Sequence, residues 1–134
     1  MIGIEALVSL LTMLRLPRVA ALVLSVLLME SRPMSLGEIS AVTGYAKSHL
    51  SSALKLLESS SLVERVVTGK KVVFRPRKKA VELLLRKHLQ DIRKALNEVR
   101  SKLNTSSLSE SIDKVDVWFK EIIRELGGED VWYS

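Results

Sequence analysis

Residues 34–76 constrain the fold of this chain more than any other stretch. They read MSLGEISAVTGYAKSHLSSALKLLESSSLVERVVTGKKVVFRP, a short helical pattern, a glycine, a second helical pattern, then two β-branched runs around a Gly-Lys turn. Ser35 stands three residues before Glu38, so its hydroxyl can cap the first free amides while the carboxylate reaches back. This capping box starts a helix. Leu36, Ile39 and Val42 give that helix one apolar face. Gly44 follows and suits the reversal through which two short helices meet at a steep angle.

The second helix is predicted over residues 46–59, with Ala46, Leu50, Ala53, Leu54 and Leu57 on one side at helical spacing. Lys47, Ser48, Ser51, Ser52 and Lys55 fall opposite, and His49 sits at the edge of the apolar stripe. No acid precedes Glu58 on this helix. A merely solvated face usually mixes Glu with Lys for paired support. Lysines among small hydroxyls suit a polyanion instead: serines allow close approach to a groove floor, and lysines neutralise phosphates. His49 has a structural reading and a second one, as a base or phosphate contact.

Residues 62–67 and 72–74 are β-rich runs joined by Thr68, Gly69, Lys70 and Lys71, where Gly69 supplies the positive φ of a tight hairpin turn. Lys70 and Lys71 then lie at or beside the tip, while Arg75, Arg77, Lys78 and Lys79 crowd the base. Such clustering is what backbone contact to a nucleic acid needs, since each neutralised phosphate releases condensed counterions. Taken alone, the hairpin could equally be one whose lysines guard an edge strand. Taken with the helix pair, it reads as the wing of a winged helix-turn-helix.

The segment resembles the winged helix-turn-helix of MarR-type transcriptional regulators and their archaeal relatives of TrmB and GbsR type. The likeness lies in Leu36-Gly37-Glu38-Ile39, Thr43-Gly44-Tyr45-Ala46-Lys47-Ser48, Leu54-Lys55-Leu56-Leu57-Glu58 and Leu62-Val63-Glu64-Arg65, about a third of the chain. Two positions depart from the family pattern, which often has Ser where Ala46 stands and Gly where Ser61 stands. Without that serine an N-cap is lost, so recognition leans on Lys47 and Ser48. The resemblance implies a homodimer that binds pseudo-palindromic operator DNA, often tuned by a small-molecule effector.

Composition sets the outer bounds. A chain of 134 residues with 47% apolar content can bury a modest core, larger if it dimerises. Only two short strands are visible, so the expected class is mainly α with a small β-hairpin wing, followed by a C-terminal helical dimerisation region. The absence of cysteine excludes disulfide staples, thiolate metal sites and cysteine nucleophiles. Residues 44–80 carry nine basic and two acidic groups, against an excess of +6 for the whole chain. Localised charge of this kind argues for a docking surface. No catalytic set is apparent: His49 and His88 are the only histidines, separated by 39 residues, no carboxylate at helical spacing makes a metal set with them, and no Walker-type loop is present. The expectation is therefore no enzyme, no cofactor and no metal.

The apolar N-terminus is not a membrane span. Residues 6–14 and 19–29 are charge-free runs broken by Arg15, Pro17 and Arg18, and a span needs about 20 apolar residues. No basic region precedes them, so a signal peptide is not expected either, and the expected compartment is the cytoplasm. Residues 2–15 read as a first helix, apolar at Ile4, Leu7, Val8, Leu11 and Leu14. Pro17 fits the first turn of a second helix, apolar nearly all round and therefore central. These elements complete a DNA-binding domain over residues 1–80.

Residues 81–126 form the second region. Pro76 is expected to open a long helix over about 77–103, in which Leu85, Leu89, Ile92, Leu96, Val99 and Leu103 are spaced 4, 3, 4, 3 and 4, a heptad seam. Ser107 and Glu110 offer a second capping box, and a last helix over 108–126 repeats the spacing through Leu108, Ile112, Val115, Phe119, Ile122 and Leu126. Gly127-Gly128 ends it, and residues 127–134 are a tail with Trp132 and Tyr133. The earlier helix is net basic and the later one net acidic, so they should pair, within a chain or across a dimer. The seam exceeds what a small winged domain needs, which favours a dimer interface over an intramolecular hairpin.

The leading expectation is a dimeric, sequence-specific regulator of double-stranded DNA. Lys47, Ser48, His49, Ser51 and Ser52 would enter the major groove, and Lys55, Arg65, Lys70, Lys71 and Arg75 would hold phosphates while the wing flanks a minor groove. An architectural DNA-coating protein would share the basic face without sequence preference. A winged-helix protein–protein adaptor would use the seam and leave the positive face incidental.

Overall fold

The apolar run that follows Pro17 builds the centre of the N-terminal unit. The computed structural model describes residues 2–103 and 105–125. Helix α2 spans Arg18–Glu30 with Pro17 as its N-cap, and Ala20, Ala21, Val23, Leu24, Ser25, Val26 and Leu27 are buried along it. It packs against α1 (Ile4–Met13), against β3 (Lys71–Pro76) and against α4 (Lys47–Ser59). The first helix is shorter than the apolar spacing suggests. Gly3 takes a left-handed φ of 87° at its start, and Arg15 takes one of 76° just past its end. There the Arg15 amide reaches the Thr12 carbonyl and the Leu16 amide the Leu11 carbonyl, a Schellman closure with Leu11 and Leu16 buried together.

Helix α3 spans Leu36–Thr43 and begins at the capping box read from the sequence: the Glu38 amide donates to Ser35 Oγ at 3.2 Å, and the Ser35 amide donates to Glu38 Oε1 at 3.1 Å. Ile39 is fully buried, but Val42 is 47% exposed, because the last turn of this short helix runs beyond the core. Ala46, expected on the buried side of α4, is instead its exposed N-cap, with extended backbone that points its methyl away from the stripe. Leu50, Ala53, Leu54 and Leu57 bury as their spacing requires.

The sheet has three antiparallel strands in the order β1-β3-β2, where the sequence shows two. Strand β1, Met34–Ser35, pairs Met34 with Phe74 and Ser35 with Val73; two residues carry no periodicity to read. Strand β2 spans Val63–Thr68 and closes on β3 through a two-residue turn, Gly69-Lys70, with Thr68 opposite Lys71. Gly69 has φ 63° and Lys70 has no positive φ, the pattern of a type II′ hairpin turn. Pro76 does not open a helix. It ends β3 opposite Val63, while the Arg77 amide extends the ladder to the Leu62 carbonyl at 2.9 Å. The neighbouring pair supplies that bond, so the ring nitrogen of Pro76 faces away from β2 and its missing N–H leaves no gap there.

The chain divides into two compact units, residues 1–81 and 82–134. Helix α5, Ala80–Leu103, starts three residues later than residue 77 would give, since residues 78–79 form a turn after the strand. Helix α6 spans Ser106–Glu125. Its first bond runs from the Ser109 amide to the Thr105 carbonyl at 2.9 Å, so Ser107 lies inside the helix and does not cap it; four hydroxyl-bearing or amide residues in a row leave the start ambiguous in sequence. Within this unit α5 and α6 pair in the same chain. Arg93 grips Asp116 with Nε at 2.5 Å and Nη2 at 3.3 Å, and Arg100 Nη2 meets Asp113 at 2.6 Å, an antiparallel register of basic on acidic helix. Leu126, the Gly127-Gly128 stop and the tail with Trp132 and Tyr133 lie outside the described residues. Among the described residues, no helix is long and apolar enough to cross a membrane.

Candidate nucleic-acid interface

The direction in which α4 presents its exposed face depends on how rigidly it is set against α3, and the turn between them is braced by side chains. Gly44 takes φ 77°, which a Cβ would resist, and returns its amide to the Ser40 carbonyl at 2.9 Å. Ser40 Oγ donates to the Tyr45 carbonyl at 2.8 Å. Thr43 Oγ1 donates to the Ile39 carbonyl at 2.8 Å and accepts from the Tyr45 amide at 3.3 Å. Two hydroxyls thus fix the path from Thr43 to Ala46. Upstream, Arg32 Nη1 holds Glu38 Oε2 at 2.7 Å. That hydrogen bond, with the Ser35 amide, brings the Glu38 carboxyl down to about 2.

Helix α4 then presents Lys47, Ser48, His49, Ser51, Ser52 and Lys55, all exposed, on one side. His49 is outside the apolar stripe, with its ring 6.4 Å from the Tyr45 ring. Ser52 Oγ leans back to the Ser48 carbonyl at 3.4 Å, and Ser48 and Ser51 are exposed. Ala46 offers no side-chain cap, so the first amides of α4 stay free beside Lys47 and Ser48, where the helix dipole adds positive potential.

The hairpin divides into a charged tip and a neutralised base. Lys70 and Lys71 are exposed at the tip, and Val67 beside them is 64% exposed. At the base both expected phosphate ligands are already engaged: Arg65 Nε donates to Glu58 Oε1 at 3.0 Å, and Arg75 Nε donates to Glu64 Oε2 at 3.1 Å. The Arg75 hydrogen bond lowers the Glu64 carboxyl. The two acids of residues 44–80 are consumed in this way. Lys47, Lys55, Lys70, Lys71, Arg77, Lys78 and Lys79 make no ion pair among the described residues.

Tyr45 beside His49, Glu58 on Arg65 and the exposed Val67 take places at the site that the sequence alone does not assign. Alternation puts Val67 on the same face as the buried Val63, and it is exposed because the hairpin has left the core four residues on. In the second unit, Leu85, Leu89, Ile92, Leu96, Val115 and Phe119 are half-buried, while Val99, Leu103 and Ile122 are exposed. Ile112, counted in the seam, is 3% exposed within its own chain and leaves no surface for a partner. Among the described residues, no group of three His, Cys, Asp or Glu is placed to hold a metal ion.

No family model matches the chain, and no curated protein sequence matches it. Solved structures do. The crystal structure of a transcriptional regulator superposes with a TM-score of 0.61 at 19% identity, covering 92% of this chain and 92% of that one. BldR, a transcriptional regulator from Sulfolobus solfataricus, gives 0.44 at 20% identity over 80% of this chain and 76% of its own. A mutant of ZitR from Lactococcus lactis gives 0.40 at 17% identity over 78% and 73%. The first of these shares the fold of this chain over nearly its whole length: mainly helical, with a small antiparallel sheet.

Proposed function

We propose that the chain is a homodimeric transcriptional regulator of MarR type that binds double-stranded DNA with sequence preference. The observation that carries this reading is the exposed face of α4, which has no acid before Glu58, held by a braced turn and flanked by an unneutralised wing tip. Lys47, Ser48, His49, Ser51 and Ser52 read the major groove, and Lys55, Lys70 and Lys71 hold phosphates on either side. The half-exposed seam of α5 and α6 supports the second copy: Leu85, Leu89, Ile92, Leu96, Val99, Leu103, Val115, Phe119 and Ile122 keep apolar surface that one chain does not cover. Two copies place two α4 helices on half-sites of one duplex. An apolar effector would find Trp118, 60% exposed, and Phe119 on the same helix.

Salt titration tests the proposal. Four lysines per chain, Lys47, Lys55, Lys70 and Lys71, make about eight phosphate contacts per dimer, so log K should fall against log salt with a slope of about −7. Affinity for a duplex from the promoter beside its own reading frame should exceed that for random duplex by about a thousandfold or more. A steep slope with no preference identifies a DNA coater, and no binding to either duplex leaves the adaptor reading. Lys70→Ala with Lys71→Ala should weaken binding on every sequence, whereas Ser48→Ala should change the ranking of sequences.

A further inference from the structure

Arg65 is held from two sides by two different elements. Its Nε donates to Glu58 in the last turn of α4, and its guanidinium carbon lies 5.4 Å from the centroid of the Phe74 ring on β3, its cross-strand partner. Phe74 is buried and therefore fixed. One side chain in β2 thus ties the reading helix to both strands of the wing.

The wing needs such a tie. β1 reaches only Val73 and Phe74, so beyond that point the hairpin is a bare two-stranded ribbon, a form of marginal rigidity. Lys70 lies five residues beyond Arg65, about 17 Å along an extended strand. A rotation of about 10° at the base would therefore move the tip lysines by about 3 Å, enough to break a phosphate contact of ordinary hydrogen-bond length. The energy of an exposed ion pair is small, but its effect on the position of the tip is multiplied by that lever arm.

We infer that Arg65 and Glu58 form a positioning pair that sets the wing's angle against α4, and that Arg65 is not a phosphate ligand. The functional consequence rests on the DNA-binding reading above; the geometry of the brace does not.

The test compares full-length Glu58→Gln, Arg65→Gln, Arg65→Lys and the Glu58→Gln/Arg65→Gln double variant by salt titration on one duplex, and by amide hydrogen exchange of residues 66–71 without DNA. Glu58→Gln and Arg65→Gln should each weaken binding about fivefold, and the double variant should be no weaker than either. Arg65→Lys keeps the charge but loses the planar fork, and should behave like Arg65→Gln. The salt slope should not change, and wing amides should exchange faster in all four. Tighter binding by Glu58→Gln, recovery in Arg65→Lys, or a slope reduced by about one would make Arg65 a phosphate ligand and overturn the inference. Unchanged affinity and exchange in the single variants would overturn it as well. If the wild-type chain binds no duplex, the DNA-binding reading fails, and exchange at residues 66–71 alone decides the brace.

Discussion

The N-terminal unit and the helical pair after it use their apolar residues differently. In residues 1–81, Leu11, Val23, Leu24, Leu27, Met34, Ile39, Leu50 and Leu57 are all fully buried, each from a helix or strand that closes on its neighbours. In the second unit only Leu84, Ile112 and Ile123 are buried among the described residues, and apart from Ile112 the described heptad positions stay half-covered or exposed. The contrast shows that regular spacing and burial are separate properties. The N-terminal unit has uneven spacing and a filled core. The helical pair has even spacing, and its register is set largely by charge, through Arg93–Asp116 and Arg100–Asp113. A heptad seam left open in one chain is where the proposed second copy would pack.

Truncation should separate the two units most sharply. Leu57 is fully buried and makes the apolar contact that closes α4, with the Leu62 amide on its carbonyl at 2.9 Å. Leu57→Ala should cost about 3 kcal/mol in urea denaturation at any protein concentration. Leu96→Ala, at a half-buried seam position, should cost about 1 kcal/mol in dilute protein and more in concentrated protein. Equal, concentration-independent losses would erase the distinction between a closed core and an open seam.

The next largest effect concerns the seam directly. If it joins two copies, a hundredfold rise in protein concentration should stabilise the folded dimer by about 2.7 kcal/mol, seen as a higher Tm. Leu89→Asp with Leu96→Asp should abolish that dependence while the N-terminal unit still unfolds cooperatively. A Tm indifferent to concentration in the parent chain would mean the seam has no partner.

Much of this was legible in the residues, and the misses share a cause. The capping box, the left-handed Gly44 and Gly69, and the apolar stripe of α4 from Leu50 to Leu57 follow from local spacing and stand in the fold, while Ala46 leaves the stripe. Strand β1, the strand role of Pro76 and the pairs Arg65–Glu58 and Arg75–Glu64 depend on register between segments, which no single window of sequence holds. The basic count of residues 44–80 is readable from the sequence, but which cations the two acids engage is not: Glu58 and Glu64 take Arg65 and Arg75, and the tip keeps its charge. Ser25, buried in the apolar run of α2 with no partner for its hydroxyl among the described residues, had no signal at all.

A smaller effect should appear at Ser61. It takes φ 61° just past α4, and its amide bonds the Glu58 carbonyl at 3.0 Å in a second Schellman closure. A Cβ is strained there, so Ser61→Gly should stabilise the N-terminal unit by about 0.5 kcal/mol. The gain should be the same at every protein concentration, which marks it as belonging to the closed unit. A gain that grows with concentration would place it in the association instead.

The smallest effect distinguishes the units by acid. Glu38 lies below its ordinary value of 4.5, at about 2, chiefly through its hydrogen bond from Arg32 and then that of the Ser35 amide. A carboxyl depressed on folding binds fewer protons when native, so its stabilisation is complete above pH 4.5 and is lost as pH falls toward 2. The pair is solvent-exposed, which keeps the loss modest. Asp116 is also lowered, first by the Arg93 hydrogen bond, but from an ordinary value of 3.8, so the helical pair should begin to weaken at a lower pH than α3 does. Thermal melts from pH 5 to 2 should therefore show the N-terminal unit yielding first, with Glu38→Gln flattening its early decline and Asp116→Asn leaving that decline intact. The reverse order would mean that the Arg93–Asp116 clamp, and not the capping box of α3, is the first of the two contacts to yield to acid.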